Sequence, residues 1–397
     1  FLALVARFAL PSFADGEAQP YVAFGFENAS PVWTDAAEDG ATRVHLLYDH
    51  ERDSTNRAAG HIHIRIEAAP GSRHTIEFAN LDNIWNGRMR SIAPGLKTLV
   101  ISPDGRDWQI VNTEILPTNR VRLTVDMPGP QLYVARIEPY RLSDLERLLA
   151  RLRSDSRATV TTIGRTVEGR ELEIVRIGNE SAPYRVFLRA RAHPWETGGN
   201  WVLEGVFQRL LANDAAAERF LRRYCVYALP LANKDGVARG LTRFNLRGKD
   251  LNRNWDRPAD PELAPENAAL EAWLEGQIAA GRRPHLAIDF HNDGFGLLHI
   301  SRPNVPDLER YLARMATLET LLRKHTWFTE GSTKAAFRNP GSLGDGWLER
   351  FGVDAVIQEL NCNQIAGLSE PATARRWREY GAALADVFYD YFGEAAP

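Results

Sequence analysis

Near Pro139 the hydrophobic rhythm of this chain changes, and that change restricts the fold more than any other feature. Before it, short runs alternate between apolar and polar residues. The clearest is His61-Ile62-His63-Ile64-Arg65-Ile66-Glu67, where the isoleucines occupy every second position. A period of two places them on one face of a strand and leaves the other face wet. Similar runs lie at 73–79, 97–102, 107–112, 119–126 and 131–137. They are separated by turn chemistry at Pro70-Gly71, Pro103-Asp104-Gly105 and Pro128-Gly129-Pro130. Short strands with Gly/Pro turns predict an antiparallel β-sandwich. His61 and His63 belong to the polar set and are expected on a solvated face, with no third metal ligand nearby.

After Pro139 the period becomes helical. Ser143-x-x-Glu146 reads as a capping box, followed by Leu142, Leu145, Leu148, Leu149 and Leu152 at helical spacing. Strands are then expected at 157–163, 171–176, 184–192, 223–230, 285–291 and 353–360, and helices at 198–213, 264–279, 306–324 and 370–392. Alternating strands and helices over this length predict a mixed sheet covered on both faces by helices. The expected fold class is therefore α/β: an N-terminal antiparallel β-sandwich followed by an α/β domain. The expected divisions are 1–19, 20–138 and 139–397.

The length of 397 residues agrees with two domains. Lys plus Arg number 48 against 51 Asp plus Glu, a net charge of −3, which gives no electrostatic case for nucleic acid as a partner. Two cysteines, Cys225 and Cys362, cannot form a disulfide framework or a Cys-rich zinc ribbon and are expected as small buried hydrophobes. No apolar run reaches the length of a membrane span. Residues 1–14, FLALVARFALPSFA, read in two ways. With Ser12-x-Ala14 as a cleavage site they are the remnant of a secretory signal, which places the protein in the periplasm or outside the cell. With Arg7 interrupting the apolar stretch they are the start of a cytoplasmic chain.

Three segments carry chemistry. His193-Pro194-Trp195-Glu196 closes the strand around 184–192, and a His and a Glu three apart can turn toward one point as zinc ligands. His291 ends the strand at 285–291, where open α/β sheets place their sites. A His2Glu set with an open fourth position is a catalytic zinc arrangement. Between them, Asp250-Leu251-Asn252-Arg253-Asn254-Trp255-Asp256 offers a guanidinium fork in Arg253 and a donor in Asn252, suited to gripping a carboxylate. Asp250 is placed to accept the free ring N–H of a ligand histidine. Trp195 and Trp255 flank these segments, either as cleft wall or as core.

The order His193-x-x-Glu196, Asn233-Lys234-Asp235-Gly236, Asp250-Leu251-Asn252-Arg253-Asn254-Trp255, His291, Glu359 resembles the carboxypeptidase A-like zinc metallocarboxypeptidases. The junction Ala135-Arg136-Ile137-Glu138-Pro139-Tyr140, the segment Gly164-Arg165-Thr166-Val167-Glu168-Gly169 and the segment Glu359-Leu360-Asn361-Cys362-Asn363 resemble its cytosolic carboxypeptidase-like subfamily. The resemblance implies that residues 139–397 form a zinc-carboxypeptidase catalytic domain with one Zn2+ ion. It implies His193, Glu196 and His291 as ligands, Asn252 and Arg253 as the clamp on the substrate's terminal carboxylate, and Glu359 as the general base. It implies Arg243 as the group that polarises the scissile carbonyl, with Arg247 as its rival, and Asp250 behind the first histidine. The implied substrate is the C-terminal tail of a peptide or protein. The family's mobile-loop tyrosine corresponds here to Phe337, which cannot donate a hydrogen bond. Lys334 is the nearest match to the arginine that favours acidic terminal residues, and Leu343 is the other candidate for the side-chain pocket. Other functions open to this residue set are a zinc amidohydrolase acting on N-acyl amino acids, a peptidase of cell-wall stem peptides, and a catalytically silent binding protein.

Overall fold

The computed structural model describes residues 19–335 and 341–393. The expected leader at 1–19 and Phe337 therefore lie outside the described residues, except for Gln19. The N-terminal part holds two five-stranded sheets face to face. One runs in the order Tyr21–Ala23, His63–Glu67, Gln131–Ala135, Thr98–Ser102, Gln109–Asn112, antiparallel throughout. The other runs in the order Glu114–Leu116, Arg120–Asp126, Arg73–Ala79, Thr42–Leu46, Val32–Ala36. Its pairings are antiparallel except between Thr42–Leu46 and Arg73–Ala79, which run parallel. Val44, Ile64, Ile66, Ile76, Phe78, Val121 and Val134 fill the space between the sheets and are buried. Burying each such side chain contributes about 1.5–3 kcal/mol.

A third sheet of four short strands, Asp49–His50, Arg57–Ala58, Asp82–Trp85 and Arg88–Ser91, stands beside the sandwich and faces the second half of the chain. These strands are too short to show a period of two, and nothing in the sequence announces them.

His61 and His63 are not on a solvated face; both are buried. His61 Nε2 reaches the Asn28 carbonyl at 2.8 Å, and His63 sits edge-on to Phe26. The reason is tertiary: the Asn28 turn and the Thr242 segment of the second half cover this edge, and the His61 N–H donates to Thr242 Oγ1. The helix Leu142–Arg153 forms, with Leu145, Leu148, Leu149 and Leu152 buried, but its start is not the expected capping box. The Arg141 N–H donates to Asp144, while Ser143 donates through its backbone N–H and its hydroxyl to Glu27 of the N-terminal part. A carboxylate from one half thus meets the positive end of the first helix of the other.

The second half is built on a seven-stranded mixed sheet in the order Ala158–Arg165, Glu171–Ile177, Tyr224–Leu229, Tyr184–Ala190, Leu286–Asp293, Asp354–Asn361, Leu298–Ile300. The four strands from Tyr224–Leu229 to Asp354–Asn361 are mutually parallel and buried along nearly their whole length. The edge strand Leu298–Ile300 is antiparallel. Helices Gly198–Leu210, Leu308–His325 and Ala374–Tyr391 cover one face with Leu142–Arg153, and Pro265–Ala279 and Leu343–Phe351 cover the other. Gly198–Leu210 and Ala374–Tyr391 cross at glycines. A Cβ at Gly205 would run into the Arg378 carbonyl, and one at Gly381 into that of Val202.

Candidate metal centre and active-site cleft

The parallel strands end on one side, and the chemistry-bearing residues gather there. After Tyr184–Ala190 the chain turns sharply at Arg191, which adopts a left-handed φ of 67°. Its guanidinium is locked inside by the Pro194 and Tyr140 carbonyls and by Asn200. This turn aims His193 and Glu196 across the strand ends, just before the helix Gly198–Leu210 begins. On the next strand His291 points the same way. Its register partner on the strand after that is Glu359, so both side chains leave the same face at the same level.

His193 Nδ1 lies 2.8 Å from Glu196 Oε1, His291 Nδ1 lies 2.8 Å from Glu196 Oε2, and the two Nδ1 atoms are 3.2 Å apart. The opposite ring nitrogens are both engaged: His193 Nε2 with Asp250 at 3.0 Å and His291 Nε2 with Asp289 at 2.9 Å. With those protons donated to the aspartates, both Nδ1 atoms present lone pairs toward a carboxylate. Three acceptors converging within 4.8 Å in a buried place repel one another unless a cation lies among them. Two imidazole nitrogens and a carboxylate oxygen suit zinc, so the residues present fit the ion that the sequence implies. The charges of the donor set also act on one another. Burial favours the neutral forms, but Asp289 and Glu196 outweigh it and hold His291 well above the usual imidazole range. The two imidazoles likewise hold Glu196 well below the usual carboxylate range against the effect of burial.

A cleft of about 660 Å³ opens over these donors. Arg243, Asn252, Arg253 and Glu359 line it. Arg243 is anchored by Asp250, with Nε 2.9 Å from Oδ2. Asp250 therefore serves His193 through one oxygen and Arg243 through the other. Asn252 Oδ1 accepts the Leu343 N–H at 2.9 Å, which leaves its amide nitrogen as the donor end. Glu359 is raised well above the usual carboxyl range by burial and by the Asp293 carboxylate, while His291 and Arg243 pull it down. Its Oε1 lies 3.8 Å from His299 Nε2.

The other candidates fall elsewhere. Arg247 is exposed in a turn, and the cleft takes Arg243. Lys334 is exposed, and its charge acts on Glu319 of the helix Leu308–His325 rather than in the cleft. The segment before it is pinned to the edge strand, with the Thr333 N–H donating to the Leu298 carbonyl, and this directs Lys334 away. Leu343 is fully buried against Trp255 and Trp347 and is not among the residues that line this cleft. Trp195 borders the cleft with the Arg136 guanidinium 3.6 Å above its ring, whereas Trp255 is core. Cys225 and Cys362 are buried free thiols.

Four contributors were not read from the sequence. Asp289 stands two residues before His291, and the period of two puts it on the same face, a signal that was present. Arg189, fully buried, supports Asp289 from 3.6 Å. Asp49 and Trp85 of the four-stranded sheet reach the Arg243 segment from a distant part of the chain, and no local pattern marks them.

Residues 145–292 match the zinc carboxypeptidase family of peptidases. Cytosolic carboxypeptidase 1 of Mus musculus is 38% identical over 109 residues, which cover 28% of this chain and 9% of that protein. The Danio rerio protein of the same name is 30% identical over 200 residues, covering 49% and 16%. The chain thus matches less than a fifth of the length of these relatives. A solved metallo-carboxypeptidase from Burkholderia cenocepacia superposes with a TM-score of 0.80 at 22% identity, covering 94% of this chain and 99% of that one, so the likeness of fold takes in both halves. The family likeness in sequence is thus carried by residues 145–292, and the likeness of fold by nearly the whole chain.

Proposed function

We propose that the protein is a carboxypeptidase that uses one zinc ion to release the last residue of a peptide or protein tail. The observation that carries this reading is the placement of two guanidinium groups and an amide donor beside a three-donor metal set, with Glu359 on the adjacent strand at the level of His291. When bound, zinc supplies a Lewis acid that activates water and polarises a carbonyl. Arg253 and the Asn252 amide nitrogen grip the terminal carboxylate, which fixes the distance from the chain end to the reacting bond. Arg243 faces the negative charge that develops on the scissile carbonyl oxygen. Glu359 accepts the proton of the attacking water and delivers it to the leaving amine. Asp250 and Asp289 hold the two imidazoles in one orientation and tautomer. Since Lys334 lies away from the cleft, no preference for an acidic terminal residue follows from it.

The test is a mass-spectrometric screen of the zinc-loaded protein against peptides that differ only in their last residue, each paired with its C-terminal amide. Loss of one residue from the free acids, abolished by a chelator and absent from the amides, is the expected result. Equal cleavage of acids and amides, or cleavage inside the chain, would remove the case for a carboxylate clamp.

A further inference from the structure

The two guanidinium groups of the cleft pose an electrostatic problem. Arg243 and Arg253 repel each other, and burial together with that repulsion depresses the Arg253 guanidinium against the pull of Asp250. Asp250 is shared with His193, so it does not neutralise both. What lies against both of them is the ring of Trp85, with Arg243 Cζ 4.2 Å and Arg253 Cζ 5.4 Å from its centre. Trp85 ends the strand Asp82–Trp85 of the four-stranded sheet, on the other half of the molecule. The negative face of an indole attracts a guanidinium without using any of its N–H donors. Both forks are thereby steadied without use of the donors that Asp250 and the Asn252 carbonyl leave free.

The same sheet also holds the main chain that bears Arg243. The Asp49 carboxylate accepts the N–H groups of Arg243 at 2.7 Å and Phe244 at 2.8 Å. The Arg52 N–H donates to the Gly248 carbonyl at 2.7 Å. Gly248 has a φ of 72°, and a Cβ there would meet Arg52 N at 2.8 Å. The loop from Arg239 to Arg253 is therefore clasped by the four-stranded sheet at several points.

We infer that the N-terminal half is a working part of the carboxylate-binding site, with Trp85 as a positioning residue for Arg243 and Arg253. The inference rests on the function proposed above. It states that the second half alone lacks a competent clamp, because Trp85 and Asp49 are supplied from outside it.

Two readouts on the full chain test this. The first is equilibrium binding of a peptide acid and its amide to chelator-treated protein, where no turnover interferes. The second is kcat and KM of the zinc-loaded enzyme. Trp85→Ala is expected to weaken binding of the acid about tenfold and of the amide less than twofold, with zinc content unchanged. KM should rise more than kcat falls. Trp85→Phe, which keeps an aromatic face, should recover most of the loss. Trp33→Ala, which removes an exposed tryptophan from the sandwich, serves as the control with wild-type values. Equal weakening of acid and amide by Trp85→Ala, or no weakening of either, overturns the inference, as does a Phe variant no better than Ala. If the wild-type enzyme cleaves no peptide, the proposed function fails, yet the acid-against-amide comparison still decides the role of Trp85.

Discussion

At the scale of single residues the site works by shared carboxylates. Asp250 orients His193 with one oxygen and restrains Arg243 with the other, and Asp289 does the first of these tasks for His291. Asp289→Asn should weaken zinc binding about 10- to 100-fold, read by competition with a chromogenic chelator, because the ring loses its acceptor and some of its basicity. Unchanged affinity would mean that the strand alone orients the ring. Glu359 touches none of the three donors, so Glu359→Gln should keep its zinc and lose on the order of 10²–10⁴ in kcat. Activity within twofold of wild type would rule Glu359 out as the base. Legibility divided along the same line. His193 and Glu196 alone are a weak pattern, since chance sets a His and a Glu three apart in many chains, and Arg253 alone reads equally well as part of a polar loop; their order with His291 and Glu359 made them legible. Asp289 was legible only to a reader already asking what holds His291. Trp85 and Asp49 carry no signal at all, since their partners are more than 150 residues away in sequence.

At the scale of elements the sequence is most readable where burial is uniform. The central strands expected at 184–192, 223–230, 285–291 and 353–360 are found as Tyr184–Ala190, Tyr224–Leu229, Leu286–Asp293 and Asp354–Asn361. Continuous apolar runs mark them, and helices on both faces enforce them. The short elements escaped: the helices Ala215–Leu221, Lys234–Ala238 and Leu343–Phe351, the edge strand Leu298–Ile300, and the whole four-stranded sheet. Each is too brief to show a period, and each is held by contacts from elsewhere, as Ser143 is by Glu27. The crossing of Gly198–Leu210 with Ala374–Tyr391 is equally silent, because a glycine in a helix reads only as a weak point. Gly381→Ala should lower stability by about 1–3 kcal/mol despite alanine's better helix propensity, since its Cβ has no room beside the Val202 carbonyl. A denaturant titration that found the variant as stable as wild type would show that the two helices can separate at no cost.

At the scale of the molecule the seam between the halves carries a pH dependence. Burial lowers His61 to about 4 and His63 to about 3, from 6.5 in the open chain. Between pH 6.5 and about 4 the unfolded chain then binds more protons than the folded one. The stability these residues contribute is complete above pH 6.5 and is lost as the solution is acidified. His63→Phe, beside Phe26 and Tyr133, should flatten the fall in melting temperature between pH 7 and pH 4.5 relative to wild type in the same zinc state. Parallel curves would place the titration elsewhere. The strand register has a consequence of another kind, in time. His193, Glu196 and His291 precede Glu359, whose strand pairs directly with that of His291. At about 5–20 residues per second of synthesis, a growing chain has His193, Glu196 and His291 several seconds before Glu359 is added. On the function proposed above, the three residues that would hold the metal are all synthesised before the strand Asp354–Asn361 brings in the proposed base.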